Sequence, residues 1–540
     1  MPSVSSPLES HKQPEKFRVN YEDACNVLHP KKGKFFEDES IPVKETSSKV
    51  AIVGAGLAGI ATAMSLLKNH GETDFTMFEK HDNFGGTWYA NTYPGCCCDI
   101  PAIWYSYSDE LNTTWSGVQP PQHEMEEYIL AVTKKHELAK YARFETAIND
   151  LEWNESKKEW TLKGVEIKTG RRLKHTCKIV VSARGGLVYP QFPDIPGLQD
   201  FSGKLMHSAL WDHSTPIKGK KVVVIGNGCS AAQLVPALLK DYEPESIVQL
   251  FRSKHWILPE IPKFVQNFYV KVRGFLPAIT GIRYVMAAAA ELRYPIFKGK
   301  WWLPRTIHWF HQRSSRLYME KTSPEKYHDL LIPDYKYGCK RLIFDQGYLK
   351  SLHDDRLLLS NVKIDRVEGK YVILENGDRI EADIIAACTG YDLDQSMFVG
   401  NIVGEKGKTL KDLWREERPA AYETSMVKGF PNLFIVGGPN SAAGHTSVLL
   451  SIENMVQMFD RTFSPVLKEK YSTIQVSPEA HDRWRDEDLK HLDTAIYGTS
   501  EGGCTSWYSK TGINSTVYPY SHFTMWYRTR FPNYSDFEYM

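Results

Sequence analysis

The stretch KVAIVGAGLAGIATAMSLLKNHGETDFTMFEK, from Lys49 to Lys80, contains one complete βαβ unit. VAIV predicts a short buried strand and FTMFE a second one, while IATAMSLLKNHG predicts a helix that ends at Gly71. Between the first strand and the helix lies a glycine cluster with the spacing G-x-G-x-x-G, formed by Gly54, Gly56 and Gly59. This pattern is specific only when a strand precedes it and a helix follows, as here.

The chemistry of such a turn points to a dinucleotide. The first glycine permits the tight turn, the second lets the backbone approach a pyrophosphate, and the third lets helix and strand pack closely, with the helix N-terminus facing the phosphates. Glu79, at the end of the second strand, can accept hydrogen bonds from a ribose. We therefore predict a dinucleotide site at this turn.

A second unit, KKVVVIGNGCSAAQLVPALLKDYEPESIVQLFRS, begins at Lys220 and repeats the order of strand, turn, helix and strand. Its second strand ends in Arg252 instead of an acid, and a guanidinium can bind a 2′-phosphate that a carboxylate would repel. Two nucleotide sites, one with Glu and one with Arg, predict a flavin reduced by NADPH. The turn of this second unit is formed by Gly226, Gly228 and Ala231.

Length and composition set the frame around these units. A chain of 540 residues exceeds what one core usually serves, and a net charge of +1 implies no broad basic surface for nucleic acid or an anionic membrane. The N-terminus has no apolar signal segment, and no apolar run is long enough to span a bilayer. Nine cysteines, an odd number, do not form a disulfide scaffold in a chain this long. We therefore expect a soluble, cytoplasmic protein with reduced thiols.

The fold class predicted from these features is α/β, with two Rossmann-like dinucleotide-binding domains, for FAD and NADP, and an inserted helical region. EWNESKKEWTLKG between the two units predicts a hairpin, and the inserted segment is aromatic-rich and is expected to line or cover an apolar substrate pocket. The predicted division is an N-terminal arm 1–48, an FAD-binding domain 49–195 and 386–540, an NADP-binding domain 196–261 and 336–385, and a helical insertion 262–335.

Several motifs of the chain resemble those of the Baeyer–Villiger monooxygenases. GGTWYANTYPGCCCD, from Gly85 to Asp99, is similar to the segment that follows the FAD unit in that family. FSGKLMHSALWD, from Phe201 to Asp212, resembles the family signature F-x-G-x-x-x-H-x-x-x-W-(P/D), and GCKRLIFDQGY, ACTGYD and GFPNLFIVGGPN resemble further segments in family order. The arm and the C-terminal ending are most similar to fungal members that serve secondary metabolism.

The resemblance implies a reaction. NADPH reduces FAD, O2 adds to the reduced flavin as a C4a-peroxide, and the peroxide attacks a ketone to give an ester or lactone. Arg341 matches the family arginine that stabilises the anionic oxygen, and Asp99 matches the aspartate that holds this arginine and contacts the cofactor. Lys340 matches a lysine that binds the 2′-phosphate. The resemblance implies a ketone and O2 as partners, and the aromatic-rich segment 262–335 favours a sizeable ketone of polyketide or terpenoid type. We expect no metal, no nucleic acid and a monomer or weak homo-oligomer.

The resemblance also implies the remaining cofactor contacts. His207 would couple rotation of the nicotinamide domain to the flavin site, and on a helix His207 and Trp211 would share a face. The signature positions are Phe201, Gly203, His207, Trp211 and Asp212. The implied FAD contacts are Gly86, Thr87, Trp88, Asp99 and Tyr105, beside the first turn and Glu79. The implied NADP contacts are Cys97, Cys98, Ser230, Gln233, Arg252, Ser253 and Lys340, beside the second turn.

Three consecutive cysteines, Cys96, Cys97 and Cys98, invite a metal or redox interpretation. No C-x2-C pair or nearby histidine completes a tetrahedral site, and a disulfide between adjacent cysteines is strained. We interpret them as small apolar spacers that let the backbone pass close to the flavin and the nicotinamide. Two alternatives remain for the whole chain: an S- or N-oxygenating flavin monooxygenase, and a non-catalytic nucleotide-binding protein.

Overall fold

The computed structural model describes residues 37–187, 189–298, 302–392, 401–442, 444, 446–497, 502–504 and 514–540, without the side chains of residues 303 and 304. Most of the predicted N-terminal arm, residues 1–36, lies outside the described residues. The described chain is a mixed α/β structure, as the two βαβ units predict.

The described strands are β1 Lys44–Val53, β2 Phe75–Phe78, β3 Ala142–Arg143, β4 Thr146–Asn154, β5 Glu159–Glu166, β6 Arg172–Ser182, β7 Lys204–His207, β8 Lys221–Ile225, β9 Ser246–Leu250, β10 Ile257–Leu258, β11 Ile343–Phe344, β12 Leu357–Ser360, β13 Ile364–Glu368, β14 Tyr371–Leu374, β15 Arg379–Glu381, β16 Ile384–Ala387, β17 Ile402–Val403, β18 Leu433–Ile435, β19 Ile474–Val476 and β20 Phe537–Tyr539.

The described α-helices are α1 Leu57–Ser65, α2 Thr87–Ala90, α3 Gln122–Lys135, α4 Cys229–Ala237, α5 Lys263–Val272, α6 Leu276–Arg293, α7 Trp302–Thr322, α8 His328–Leu331, α9 Tyr348–Ser351, α10 Leu410–Glu417, α11 Val448–Leu467, α12 Pro478–Leu492 and α13 His522–Arg530. Helix α1 continues as a wider turn to His70 and ends at Gly71, which has φ +60°, so the predicted helix end is confirmed.

The first sheet has the order β17-β4-β5-β6-β1-β2-β3, with β18 paired to β6. Its centre is parallel, because β1 lies between β2 and β6 and runs in the same direction as both. The predicted hairpin is present as the antiparallel pair β4 and β5. Helices α1 and α11 pack together over one face of this sheet, where Ile52, Phe434 and Met455 belong to one buried cluster. The last third of the chain therefore returns to the first βαβ unit.

The second sheet is entirely parallel and has the order β12-β9-β8-β16-β7. It contains the second βαβ unit, and β7 brings the signature segment to its edge. Strand β16 continues to Ala387, two residues past the boundary predicted at 385. A small antiparallel sheet, β13-β14-β15, lies in the chain between β12 and β16. The predicted helical segment lies between strands β9 and β12 of the second sheet and contains α5, α6, α7 and α8.

The predicted boundary of the N-terminal arm was wrong. The first strand begins at Lys44, inside the predicted arm, because residues 44–48 pair in register with β6. In the helical segment, which is expected to line or cover an apolar pocket, Trp302, Trp309 and Phe310 are exposed to solvent. Trp256, just before the segment, is buried, and its indole N–H donates to the Tyr335 carbonyl at 3.0 Å. Among the helices of the described residues, none combines the length and apolar character needed to cross a bilayer.

Candidate active site

The first glycine turn is held by contacts that leave no room for a side chain. Gly54 has φ +110°, and a Cβ added there would lie 2.4 Å from the Ala183 carbonyl oxygen of the neighbouring strand end. Only glycine fits both the backbone angle and this approach. Helix α1 follows directly, so its N-terminal amides point to the space above the turn. Gly56 and Gly59 lie where the sequence places them, the latter packed against the Gly54 carbonyl.

Glu79 is buried beside this turn. Its Oε2 accepts a hydrogen bond from the Ala55 amide at 2.8 Å, and its Oε1 accepts one from the His81 amide at 3.0 Å. Burial raises the pKa of Glu79, and the hydrogen bonds from these amides oppose that rise. Through these hydrogen bonds the carboxylate stabilises the turn, and its remaining lone pairs can accept hydrogen bonds from a ribose diol.

The segment after the first βαβ unit folds back onto the turn. The Gly85 amide donates to the Ala55 carbonyl at 3.2 Å, and the Gly86 backbone lies against that of Gly56. Helix α2 then carries Thr87 and Trp88. The Trp88 indole N–H reaches the Tyr105 hydroxyl at 3.4 Å, with the two rings edge to face at 5.8 Å. These four predicted FAD contacts, Gly86, Thr87, Trp88 and Tyr105, therefore lie on one connected segment beside the turn.

The second glycine turn has the same construction. Gly226 has φ +127°, and a Cβ there would lie 2.4 Å from the Cys388 carbonyl oxygen. The Gln249 side chain donates to the Gly226 carbonyl at 2.9 Å. A Cβ added at Gly228 would meet nothing within 4 Å, so the space above this turn is open. Helix α4 begins after Gly228 and carries Ser230, Ala231 and Gln233.

Two predicted 2′-phosphate contacts come together at this end of the second unit. Arg252 is exposed, and Lys340 is buried with its ammonium 5.0 Å from the centre of the Tyr335 ring. Burial lowers the pKa of Lys340, and the neighbouring charge of Arg252 lowers it further. Two cations that repel each other in this way form a site for an anion. Ser253 lies beside them, where its carbonyl is 3.5 Å from the Asn227 side-chain nitrogen.

The cysteine stretch connects the two units through backbone atoms. The Gln233 side chain of α4 donates to the Cys97 carbonyl at 3.1 Å and accepts a hydrogen bond from the Tyr93 hydroxyl at 2.7 Å. The Gln346 amide donates to the Cys98 carbonyl at 3.4 Å and accepts from the Cys97 thiol at 2.7 Å. The stretch is therefore fixed by Gln233 of the second unit and by Gln346, which follows the helical segment in the chain.

The three thiols form no disulfide, and burial keeps them protonated. Burial raises the pKa of Cys96 and of Cys97 to about 12, and it raises that of Cys98 well above the usual range. None of the three belongs to a group of metal-ligating side chains among the described residues. These observations agree with the interpretation of the cysteines as spacers.

Asp99 and Arg341 form an ion pair in which the guanidinium donates to Oδ2 of the carboxylate. The Asp99 carbonyl also accepts a hydrogen bond from the Gln119 side chain at 2.9 Å, which fixes this turn. Burial raises the pKa of the Cys229 thiol at the start of α4, and Arg341 beside it opposes that rise. Arg341 therefore lies where the cysteine stretch, the start of α4 and the Lys340 segment meet.

The signature segment is not helical, so the expectation that His207 and Trp211 share a helix face was wrong. His207 is the last residue of β7, the edge strand of the second sheet, and the chain turns immediately after it. Phe201 and Trp211 are buried in the cores on the two sides of the second sheet, and Gly203 lies against the Asp383 carbonyl. The Asp212 carboxylate accepts hydrogen bonds from Ser214 and forms an ion pair with Lys204 at 2.9 Å. Burial would raise the pKa of Asp212, but these contacts lower it overall.

His207 is fully buried, and its ring connects the second sheet to the flavin-side segment through aromatic contacts. Its Nδ1 accepts a hydrogen bond from the Ala209 amide at 3.1 Å, and burial lowers its pKa to about 3. The ring lies edge-on to Tyr391 at 6.3 Å. The Tyr391 hydroxyl donates to the side chain of Asn91, whose amide nitrogen donates to the Thr87 carbonyl at 2.9 Å.

The expectation that all thiols are reduced was also wrong. Cys339 and Cys504 form a disulfide, because the chain at Gly502 packs directly on the segment before Lys340. The Gly502 carbonyl accepts a hydrogen bond from the Lys336 amide at 3.0 Å, which brings the two cysteines to a Cα separation of 6.2 Å.

Two further features of the surface do not belong to this site. Glu417, His481 and Asp482 have ligand-type atoms close together, but the ammonium of Lys428 and the guanidinium of Arg485 neutralise the carboxylates. A cavity of about 910 Å³ lies between α3 and the start of α6, and it contains none of the predicted site residues. Its lining includes Glu110, Asn112, Glu124, Lys135 and Arg273.

Comparisons with known proteins agree with this geometry. Residues 47–269 match the family described as flavin-binding monooxygenase-like. A Baeyer–Villiger monooxygenase of Streptomyces coelicolor is 31% identical over 474 residues, covering 87% of this chain and 88% of the relative. The FAD-binding monooxygenase ktnD of Aspergillus niger is also 31% identical, covering 86% of this chain and 77% of the relative. The chain belongs to the Baeyer–Villiger monooxygenase family.

Solved structures show the same fold. Cyclohexanone monooxygenase from Rhodococcus sp. Phi1, bound to NADP+, has a TM-score of 0.78 at 23% identity and covers 92% of this chain and 99% of its own. The polycyclic ketone monooxygenase of the thermophilic fungus Thermothelomyces thermophila has a TM-score of 0.79 at 20% identity, covering 96% and 94%. The fold class predicted from the sequence is confirmed. The monooxygenase class and the cofactors FAD and NADPH are confirmed at the level of the Baeyer–Villiger family.

Sequence reasoning missed several residues that assemble this Baeyer–Villiger site. Gln346 and Tyr391 lie in motifs that were recognised, but nothing in the sequence indicates that they contact Cys98 and Asn91. Tyr93 lies within the quoted cysteine segment, and only the fold reveals its partner, Gln233.

Proposed function

We propose that this protein is an FAD-dependent, NADPH- and O2-consuming Baeyer–Villiger monooxygenase that converts a ketone to an ester or lactone. The observation that carries the proposal is the ion pair between Asp99 and Arg341 at the meeting point of the two nucleotide units. A nucleotide-binding protein without catalysis has no need for an arginine held there by a buried segment. An arginine cannot lose its proton, so its charge is present throughout the reaction.

The residues fit both cofactors. The first turn offers a backbone cradle with Glu79 for a ribose, and the Gly86–Trp88 segment folds over it. The second turn is open above Gly228, with Arg252 and Lys340 as a pair of cations for the 2′-phosphate. We assign FAD to the first and NADPH to the second, and the predicted two-part division of both domains follows that assignment.

The bound flavin supplies O2 activation, by the mechanism that the family resemblance implies. What this chain supplies is a fixed positive charge for the anionic oxygen that attacks the ketone. Asp99 orients the Arg341 guanidinium, and Gln233 and Gln346 fix the backbone that carries Asp99. The small side chains of Cys97 and Cys98 allow both cofactors to approach this backbone closely.

His207 has the role of a positioning residue in this proposal. Its buried, neutral ring contacts Tyr391, and Tyr391 holds Asn91 beside Thr87. A rotation of the second sheet would therefore be transmitted through these contacts to the segment around Thr87, beside the first glycine turn. Proton transfer is not assigned to His207, because burial holds its pKa at about 3.

The substrate is proposed to be a sizeable ketone of polyketide or terpenoid type in fungal secondary metabolism. The similarity to an Aspergillus niger monooxygenase supports the fungal assignment. The aromatic residues Trp302, Trp309 and Phe310 of α7 add no support for it, because they are exposed at the surface. The cytoplasmic location and the monomeric or weakly oligomeric state stay predictions.

The test is a product screen with purified protein, NADPH and air against paired ketones, sulfides and amines of matched size. Ester or lactone formation supports the proposal. Sulfoxide or N-oxide without ester would identify an S- or N-oxygenating enzyme instead. Yellow protein that leaves NADPH and O2 unconsumed with every compound would indicate a binding protein.

A further inference from the structure

The helical segment exposes an unusual amount of apolar surface. Phe264 of α5 is 74% exposed and Trp302 of α7 is 75% exposed, and Tyr284 and Val285 of α6 are each about 70% exposed. Large apolar side chains scattered singly are normal at a protein surface, but a contiguous set marks an interaction site. We call the outer side of α5, α6 and α7 the aromatic–basic face, defined by Phe264, Phe268, Tyr284, Val285, Trp302 and Trp309.

Helix α6 reverses the usual pattern of a surface helix. One of its two arginines, Arg283, points inward, and the guanidinium donates to the Ile103 carbonyl at 3.0 Å and the Ser106 carbonyl at 2.8 Å. The neighbouring Tyr284 and Val285 point outward into solvent. A helix of a monomeric protein normally has its polar side outward. The outer side of α6 therefore has the composition of a surface that is covered by something.

The charge of the same segment is strongly biased. Residues 262–322 contain eleven Lys and Arg against two Asp and Glu, whereas the whole chain contains 66 against 65. The near-neutral total thus hides one strongly basic region in an otherwise acidic protein. Lys263, Lys271, Arg313 and Lys321 are among its exposed cations. Aromatic and basic side chains therefore share the aromatic–basic face.

The three helices follow one another along the chain, and each is fixed from its inner side. Helices α5 and α6 are joined by the turn 273–275, where the Arg273 guanidinium donates to the Trp115 and Ser116 carbonyls at 3.2 Å. Helix α7 packs against the turn Tyr294–Phe297 that follows α6. The outer side chains are thus displayed by helices whose inner sides are anchored.

We propose that the aromatic–basic face binds the surface of an anionic lipid bilayer, without any segment spanning it. Trp, Phe and Leu side chains beside Lys and Arg are the composition of helices that lie in the membrane interface. Basic residues near such a surface are attracted to anionic headgroups. A second copy of this chain is a poorer occupant, because a two-fold interface would bring the basic faces together. No described helix has the character of a transmembrane span, which leaves binding at the surface.

The test is flotation of the full-length, FAD-loaded protein with vesicles of phosphatidylcholine alone or of phosphatidylcholine mixed with phosphatidylserine. The protein is expected to float with the mixed vesicles and to remain unbound with the neutral ones. Binding is expected to weaken as salt rises, because the attraction is screened. Equal recovery with both vesicle types, or none with either, overturns the proposal.

Two variants and two matched controls locate the binding surface. Lys263→Gln, Lys271→Gln, Arg313→Gln and Lys321→Gln together should weaken partitioning by on the order of a hundredfold or more, since each cation near the surface is worth roughly fivefold. The control removes four exposed lysines elsewhere: Lys157→Gln, Lys168→Gln, Lys218→Gln and Lys240→Gln. Phe264→Ser with Trp302→Ser should also abolish flotation, and Leu358→Ser with Tyr471→Ser should not.

Every protein in the set is checked for bound FAD and for its mass in solution by sedimentation. Equal loss of flotation in the variants and the controls would mean that net charge alone governs binding, and would overturn the assignment of the face. A parent protein that is dimeric, and becomes monomeric in the Phe264→Ser and Trp302→Ser variant without binding vesicles, would identify the face as an interface between two copies.

Discussion

The Asp99 carboxylate accepts a hydrogen bond from the Arg341 guanidinium, although the two residues are 242 positions apart in the chain. Asp99 follows the first nucleotide unit, and Arg341 follows the helical segment. The pair forms because Gln233 and Gln346 fix the backbone of Cys97 and Cys98 just before Asp99. The cysteine stretch thus places Asp99, the residue that follows it, beside Arg341.

Replacing Arg341 should uncouple oxygen consumption from product formation. Arg341→Ala removes a fixed charge whose loss from such a site commonly costs about 100-fold to 1000-fold in rate. The variant should still bind FAD, because both glycine turns are built by other segments, and its consumed O2 should appear as hydrogen peroxide. Arg341→Lys should rescue only in part, since an ammonium lacks the planar fork of a guanidinium.

Ester formation, hydrogen peroxide and O2 uptake are measured together for Arg341→Ala and for Arg379→Ala, an exposed arginine on the small sheet. The Arg379→Ala enzyme should match the parent. Ester formation at the parent rate by Arg341→Ala would remove Arg341 from the catalytic assignment.

Arg252 and Lys340 should govern the choice of nicotinamide cofactor. One charge-assisted contact is worth about 1.5–3 kcal/mol, so Arg252→Gln or Lys340→Gln should lower kcat/KM for NADPH by about 10-fold to 100-fold. The value for NADH should change little, because NADH has no 2′-phosphate. Lys240→Gln, exposed on the same unit, is the control. Equal losses with both cofactors would indicate a structural role for the two cations.

The cysteine stretch should tolerate changes of its thiols but not of its glycine. Cys96→Ala and Cys97→Ala remove thiols that are unpaired and protonated at neutral pH, so ketone oxygenation should stay within about twofold. Gly95 has φ +79°, and a Cβ there would lie 2.3 Å from the Gln233 carbonyl oxygen. Gly95→Ala should therefore push the stretch away from α4 and lower both NADPH affinity and product yield. An active Gly95→Ala enzyme beside an inactive Cys97→Ala enzyme would reverse this interpretation.

Buried histidines should make the protein sensitive to mild acid. Burial lowers the pKa of His207 to about 3 in the folded chain, whereas the unfolded value is near 6.5. The unfolded state therefore takes up a proton first, and stability falls as the pH drops below about 6.5. At pH 5 the difference amounts to about 2 kcal/mol for this one residue. Melting temperatures between pH 8 and pH 5 should fall less steeply for His207→Phe than for the parent, and parallel curves would contradict the role of His207.

The sequence predicted best what local pattern determines. The two glycine turns follow from spacing within single βαβ units, where φ +110° at Gly54 and φ +127° at Gly226 demand glycine. The helical insertion was also predicted, but not which way it faces, because aromatic residues suit a pocket and a surface equally. The contacts of Gln233 with Cys97 and of Tyr391 with Asn91 join distant segments, and no periodicity reports such pairs.

The disulfide also could not be predicted, because the number of cysteines does not reveal which of them meet in the fold. Nine cysteines, an odd number in a chain this long, predicted free thiols, yet Cys339 and Cys504 are joined across 165 positions because Gly502 allows two segments to touch. The bond fixes the chain directly before Lys340 and Arg341, so its integrity should matter for both stability and cofactor use. It is the one disulfide among the described residues.

Reduction of this disulfide should destabilise the protein and loosen the nicotinamide site. Closing a long loop typically contributes about 2–4 kcal/mol to the free energy of unfolding. Release of the FAD fluorescence on heating should therefore begin at a lower temperature in the presence of a reductant. Because Lys340 follows Cys339 directly, the KM for NADPH should rise in the same samples, while FAD stays bound at room temperature. Cys504→Ser supplies the matched control, since it should resemble the reduced parent and should no longer respond to reductant. A parent enzyme that melts at the same temperature with and without reductant would mean that the disulfide does not form in the purified protein, and a Cys504→Ser enzyme with unchanged KM would separate the disulfide from the Lys340 segment.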